Sequence, residues 1–369
     1  MRSKVSVAAL WLSASAFAQF GQTQNLAHRI DLPRDSPVSL VGDEWGGSAS
    51  VVRGGAYAID VRMSVTLRNN SPHRRIRGIT MAVLAQEAAP GGKGSISVPS
   101  LDVAPGETFS VRGDLHLMRP ISEGTGPLVE VSLDGILFED LTFYGPDRLH
   151  SRRTMLVWEL ENNRDRQYLK AVLEQKGQDG LRQEMLASLE REATRPQFGV
   201  QVVHGRATNT ETERELPVAF LNVPESPLEP MSGSARISGN EALAPKLVVH
   251  NRSPRTIRYF EIGWVMKDPR GREFLAASMP SEKNLPPRSS SQILEEAELR
   301  FDSRTSVQSM TGFISTVEFT DGTFWIPSRA ALSDPLLRSA VAPSPEEQRL
   351  VQIYRKRGLN AVMGELKKF

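Results

Sequence analysis

From Tyr57 to Leu67 every odd position is apolar (Tyr57, Ile59, Val61, Met63, Val65, Leu67), with Ala58, Asp60, Arg62, Ser64 and Thr66 between them. A period of two gives one dry face and one wet face, the pattern of an antiparallel strand that covers a core. Asn69-Asn70-Ser71-Pro72 breaks the run, and Ile79, Met81 and Val83 resume it. Further strands are expected from Thr108 to Leu117, Leu128 to Leu133 and Ile136 to Tyr144. The last two flank Asp134-Gly135, a dipeptide suited to a tight hairpin because both residues tolerate positive φ.

The plan recurs downstream. Leu247-Val248-Val249-His250-Asn251, then Arg252-Ser253-Pro254 and Ile257-Arg258, parallels Val65 to Asn69, Asn70-Ser71-Pro72 and Ile76-Arg77. Val103-Ala104-Pro105-Gly106 parallels Leu285-Pro286-Pro287-Arg288, and Val129 to Gly135 parallels Val317 to Gly322. The offsets are 182 at Asn69/Asn251 and at Pro105/Pro287, and 187 at Asp134/Asp321. Matches in the same order at nearly constant offset indicate a duplicated unit.

Between the copies, from about Asp147 to Arg195, the alternation gives way to helical spacing: Leu156/Leu160, Leu169/Leu173 and Met185/Leu189. Gly177-Gln178-Asp179-Gly180 interrupts it, so two helices joined by a short turn are expected, ending at Pro196. Near the C-terminus, Ser344-Pro345-Glu346-Glu347 offers an N-cap serine, proline at the first helical position and a capping-box glutamate. Leu350, Ile353 and Tyr354 follow on one face. Gly358 then kinks or ends the helix before a second stripe of Leu359, Val362, Met363 and Leu366.

The chain begins with Arg2 and Lys4, an apolar run from Val5 to Phe17, and Ala16-Phe17-Ala18 before Gln19. This is the pattern of a cleaved signal peptide, and the run is short for a membrane span of about 20 residues. The chain has no cysteine, which removes disulfides, thiol nucleophiles and thiolate metal sites and favours a bacterial exported protein. Without Arg2 and Lys4 the chain has 43 basic and 43 acidic residues, so the general positive charge of a nucleic-acid binder is missing.

The order strand, Asn-x-Ser-Pro, strand, hydrophobic-x-Pro-Gly-Glu, strand, Asp-Gly is carried here by Asn69-Asn70-Ser71-Pro72 and Val103-Ala104-Pro105-Gly106-Glu107. It resembles small Ig-like modules of bacterial exported proteins, of the FxLYD and CARDB type. The second copy departs with Arg288-Ser289 in place of Gly106-Glu107. The resemblance implies sandwiches that serve as spacers or binding modules and have no catalytic residues to carry over.

His28, His73, His116, His150, His204 and His250 are scattered, without metal-site spacing. Gly-x-Ser-x-Gly and Ser-x-x-Lys are absent, and Gly91-Gly92-Lys93-Gly94 lacks the Walker pattern and reads as a turn. Glu139 and Asp140, adjacent on a strand, would point to opposite faces and not form a carboxylate pair. Arg148, His150, Arg152 and Arg153 make the densest basic cluster; it could take an anionic partner, or pair with Glu159, Glu161 and Asp165. Trp158, Trp264, Phe324 and Trp325 are read mainly as packing residues, with one exposed member able to stack on a sugar.

The expected architecture is mainly β: two Ig-like antiparallel β-sandwich domains joined by a helical segment, with a C-terminal amphipathic helical tail. Its boundaries are 1–18 signal peptide, 19–36 N-terminal tail, 37–145 first sandwich, 146–196 helical connector, 197–335 second sandwich and 336–369 tail. The expected function is non-enzymatic binding or scaffolding in the bacterial envelope, periplasmic or secreted, with Arg148, Arg152, Arg153, Leu350, Tyr354 and Met363 as partner contacts. No cofactor, metal, nucleic acid or transmembrane segment after signal cleavage is expected; the partner would be an envelope protein or a glycan. A carbohydrate- or cell-wall-binding accessory protein, which predicts a row of exposed aromatics, is the alternative, and a hydrolase with an inter-domain site is a third.

Overall fold

A computed structural model describes residues 26–86, 91–121, 128–195, 197–204, 214–294, 297–301 and 306–368. The expected signal segment, 1–18, lies outside them. The first half runs β1 (His28–Asp31), β2 (Val38–Glu44), β3 (Ala49–Arg53), β4 (Ala56–Asn69), β5 (Ile76–Leu84), β6 (Lys93–Val98), β7 (Thr108–Pro120), β8 (Val129–Phe138) and β9 (Phe143–Tyr144). In one sheet β7 pairs antiparallel along almost all of β4, while β2 and β3 share its other edge. The second sheet has the order β1, β8, β5, β6, with β9 beside β8. Ile59, Val61, Met63, Val65 and Leu67 are all buried, and they join Ile79, Met81 and Val83 of β5 and Val129 and Val131 of β8 in one apolar cluster. Each such side chain withdrawn from water contributes about 1.5–3 kcal/mol. That is why the alternation is strict.

Helix α1 (Ser151–Thr194) follows, and then β10 (Gln197–His204), β11 (Arg214–Pro217), β12 (Ala219–Phe220), β13 (Leu228–Ser238), β14 (Glu241–Asn251), β15 (Ile257–Lys267), β16 (Glu273–Ser281), β17 (Ser290–Leu294), β18 (Ala297–Phe301), β19 (Ser309–Phe319) and β20 (Phe324–Trp325). These strands make one continuous sheet around a second cluster, which includes Leu247, Val249, Phe260, Trp264, Ile314 and Val317. The chain ends in α2 (Pro335–Ala340), α3 (Pro345–Arg357) and α4 (Leu359–Leu366). Among the described residues no helix is long and apolar enough to cross a membrane.

The internal repeat is written in the pairings. β1 runs parallel to β8 as β12 does to β19, and β5 lies between β6 and β8 as β15 lies between β16 and β19. At the strand-to-strand corner, Asn69 Nδ2 donates to the carbonyls of Arg74 and Val103, and its Oδ1 accepts from Ser71 N. Asn251 repeats all three contacts with Arg255, Leu285 and Ser253. Both asparagines are fully buried, so these bonds satisfy backbone groups that water cannot reach. The halves differ where β10 and β18 intervene: β18 pairs with β14, and β10 joins β18 to β16, which closes the second sheet into one path.

Asp134-Gly135 does not form the expected hairpin. β8 runs straight through it, and Thr80 pairs with Gly135 while Met81 pairs with Leu133, leaving Asp134 as the extra residue of a β-bulge. The bulge shifts the parity of the strand, so that Val129, Val131 and Leu133 and then Ile136 and Phe138 all face the core. Ser315 is the corresponding extra residue of β19, between Ile314 and Thr316. The turn comes later, where Phe138 N bonds Thr142 O and Asp140 accepts from Thr142 N; Phe319, Asp321 and Thr323 do the same in the second half. Asp321 therefore matches Asp140 at an offset of 181, not Asp134 at 187. Glu139 and Asp140 lie in this turn rather than on a strand.

Arg288, the residue that breaks the resemblance in the second copy, keeps the left-handed backbone of its counterpart: φ is 56° at Arg288 and 80° at Gly106. A side chain in this region costs about 1–2 kcal/mol that glycine avoids, and glycine gives part of this back as unfolded-state entropy. Arg288 is exposed. Arg288→Gly is therefore expected to raise stability by about 1 kcal/mol and Gly106→Arg to lower it by a similar amount. Urea denaturation checks both; a loss of stability in Arg288→Gly would contradict the equivalence of the turns.

Candidate functional site

Helix α1 is polar on most of its surface, so its position is fixed by partners more than by an apolar stripe. Only Gly177 leaves helical backbone angles, at φ 64°, a value that favours glycine. The Tyr168 hydroxyl donates to Glu184 Oε1 at 2.7 Å. Sixteen residues of straight helix would separate these by about 24 Å, so the chain reverses at Gly177. The reversal lets Leu169, Leu181 and Met185 pack together with Leu350 and Val351 of α3 and Val362 and Leu366 of α4.

The first part of α1 is wedged between the two halves. Met155 and Leu156 pack on Leu137 of β8, with Trp158 and Phe324 alongside. Gly78 on β5 makes room, since a Cβ there would lie 3.1 Å from Met155 Sδ. Glu159 bonds Arg166 and lies 3.9 Å from Arg77 of β5, which also bonds Asp102 at 2.7 Å. On the other side, Arg153 Nε donates to Glu318 of β19 at 2.9 Å, and its guanidinium lies 3.5 Å above the Tyr259 ring. Arg164 donates to the carbonyl of Pro327 at 2.9 Å. One helix thus carries ion pairs to both halves.

Further along, the charges close around a cleft of about 910 Å³ bounded by the second part of α1, by α2 and by α3. Asp165, 1% exposed, pairs with Arg164 at 2.9 Å and with Arg329 at 3.4 Å. Arg329 continues to Glu347 at 3.7 Å and Glu184 at 3.8 Å, and lies 4.1 Å above the ring of Tyr168. Glu347 also bonds Arg191 and accepts from Ser188 Oγ at 2.6 Å, while Glu184 lies 3.8 Å from Arg338. Burial lowers the affinity of the Arg338 guanidinium for its proton, and the neighbouring charges of Arg191 and Arg329 add to this. A shallower groove of about 520 Å³ adjoins at Arg164 and Arg329 and is lined by Tyr168, Phe324, Trp325, Asn163 and Gln167.

The α3 cap forms as the sequence indicates: Ser344 Oγ accepts from Glu347 N at 3.1 Å, with Pro345 next, and Asn162 Oδ1 of α1 accepts from Glu346 N at 2.8 Å. Of the six residues proposed as partner contacts, Leu350 is 0% exposed and is part of the chain's own helical core, which removes it as a contact surface. Tyr354 and Met363 are half-buried against the same cluster. Arg153 is committed to Glu318 and to Glu282, 3.3 Å away, and not to the acids of its own helix. Arg152 N bonds Asp147, and Arg148 is exposed. The six residues therefore do not converge on one site. Arg329 and Arg338, which line the cleft, and Glu184, which pairs with both, carry no local motif; Glu184 meets them through folding over more than 140 residues.

The cleft concentrates charged side chains. Ser188 is fixed between Arg191 and Glu347, with no imidazole among the residues that line the cleft. Among the described residues no group of three or more His, Asp or Glu side chains could hold a metal ion.

No family model matches the chain, and no curated protein matches it. Among solved structures, one named "pT26-6p" is similar over 88% of this chain and 73% of its own, with 9% identity and a TM-score of 0.15. A likeness at that level carries no argument here.

Glu161 on α1 lies in the field of Asp165 and of Glu261 on β15; burial first, and these charges next, push its carboxyl up to about 7 despite Arg164. The folded state then holds a proton that the unfolded state releases above its ordinary value of 4.5. The stabilisation from this group is complete below that value and is lost as the pH rises through about 7. Melting temperatures between about pH 4 and about pH 8 are expected to decline less steeply with pH in Glu161→Gln than in the parent. Parallel curves would contradict the assignment.

Proposed function

We propose that the chain is an exported, non-catalytic binding or scaffolding protein of the bacterial envelope, built on two Ig-like β-sandwich domains related by duplication. The observation that carries this reading is the double engagement of α1, with Glu159 facing Arg77 of the first half and Arg153 bonded to Glu318 of the second. A scaffold needs its two binding lobes held at a set spacing, and a helix pinned to both supplies it. The C-terminal helices brace α1 instead of docking elsewhere, because their apolar faces are spent in the cluster around Leu350.

Partner contact then falls to the β surface. At the tip of the β3–β4 hairpin, Val52 is 54% exposed, and Met118 of the adjoining β7 is 52% exposed. Val52 shares the row of Tyr57 and Met118 that of Ala58, so the two open opposite faces of the sheet. It is Met118, on the face away from the core, that offers an apolar side chain for a protein partner to cover. The groove that holds Trp325, Tyr168, Asn163 and Gln167 favours a second reading, a carbohydrate-binding accessory protein, since aromatic faces and amides are what a sugar ring contacts.

The test is a tagged full-length chain in a bacterial host, with a photo-crosslinking side chain placed at Met118 or, as a control, at the exposed Glu174 of α1. The expected result is a chain outside the cytoplasm that begins at Gln19, and a discrete protein adduct from position 118 only. A cytoplasmic chain that retains residues 1–18, or adducts that are the same from both positions, would count against the proposal.

A further inference from the structure

The ion pairs around the cleft do not balance. Arg164, Arg191, Arg329 and Arg338 share three carboxylates: Asp165 serves Arg164 and Arg329, Glu347 serves Arg191 and Arg329, and Glu184 serves Arg329 and Arg338. These four arginines exceed by one the carboxylates that pair with them. The geometry shows where the excess sits: Arg338 has its nearest carboxylate only at 3.8 Å, while Arg164 and Arg191 each have a close partner. Arg338 Nε and Arg191 Nη1 are buried N–H groups with no hydrogen-bond acceptor. Buried donors without acceptors are costly, and a surplus guanidinium beside two others adds repulsion. An anion whose oxygens accept from both Arg191 and Arg338 would offset both costs.

The cleft is larger than a bare oxyanion requires. At about 910 Å³ it falls in the range of sites for small organic ligands, roughly 300–1,000 Å³. Beyond the arginines its wall includes Leu332, Pro335, Val341 and Val351, an apolar surface next to the charged one. Guanidinium groups pair with phosphate through parallel N–H bonds, and a phosphate ester brings both the charge and an attached body.

We infer that this cleft is a binding site for an organic phosphate, with the phosphate seated between Arg191 and Arg338 and the attached group lying along Leu332, Val341 and Val351. The site is separate from the β3–β4 tip on which protein docking is proposed, so either can fail alone. The phosphate could come from a soluble ester or from a lipid headgroup, and the same contacts serve both.

The experiment is isothermal titration of the full chain at constant ionic strength with phenyl phosphate, inorganic phosphate and acetate. Phenyl phosphate is expected to bind at one site, at least tenfold more tightly than inorganic phosphate, with no saturable binding of acetate. Arg338→Gln is expected to weaken phenyl phosphate at least tenfold. Arg338 makes only the one long pair, so this variant should keep the parent's circular dichroism, and Arg182→Gln on the exposed side of α1 should bind like the parent. Co-sedimentation with phosphatidic acid vesicles but not phosphatidylcholine vesicles, lost in Arg338→Gln, would assign the phosphate to a lipid. Binding of phenyl phosphate without sedimentation would assign it to a soluble ester. Absence of saturable phenyl phosphate binding, or equal binding by the parent and Arg338→Gln, would overturn the inference.

Discussion

The structure depends on the charges that α1 takes out of water. Asp165 is buried against Arg164 and Arg329, and Glu159 against Arg166 and Arg77. Desolvating such groups costs several kcal/mol per ion, and their mutual attraction offsets this only when geometry and hydrogen bonds are right. The network therefore adds little to net stability and much to specificity. An arrangement that separated α1 from either half would strand a buried charge, at about 3–5 kcal/mol for each broken pair. Apolar contacts hold each β half together and also seat α1 on Leu137 and Phe324; the ion pairs add directional contacts from the helix to both halves.

This division explains what could be read in the sequence. Ile59 to Leu67 face a core because their period equals the period of a strand, and the buried row in β4 follows directly. The Ser344 cap and the break at Gly358 rest on local backbone chemistry and are also legible. Asn69 and Asn251 mark the same corner because each ties three backbone groups of one turn, so the repeat shows through little sequence identity.

The rest was hidden for physical reasons. Asp134-Gly135 has hairpin composition, but burial of Val129 to Phe138 against a single strand outweighs the local turn preference, and a bulge results. Arg288 shows the converse: the fold imposes a left-handed residue where the local sequence offers no glycine. The cleft was not legible at all. Arg329 and Asp165 are ordinary surface residue types, and nothing within ten positions of either shows that they meet. The tail could be recognised as amphipathic, but its apolar face fits an internal partner as well as an external one, and only the Gly177 reversal shows which is used.

The central claim is that buried ion pairs on α1 couple the helices to both β halves in one cooperative unit. It is tested most directly by equilibrium urea unfolding followed in parallel by helical circular dichroism and by tryptophan fluorescence, in the parent chain and in Arg329→Met. Coincident transitions are expected in the parent. In the variant a destabilisation of about 3 kcal/mol should appear in the helical signal, ahead of the fluorescence change. Separate transitions in the parent, or a variant that unfolds as the parent does, would contradict it.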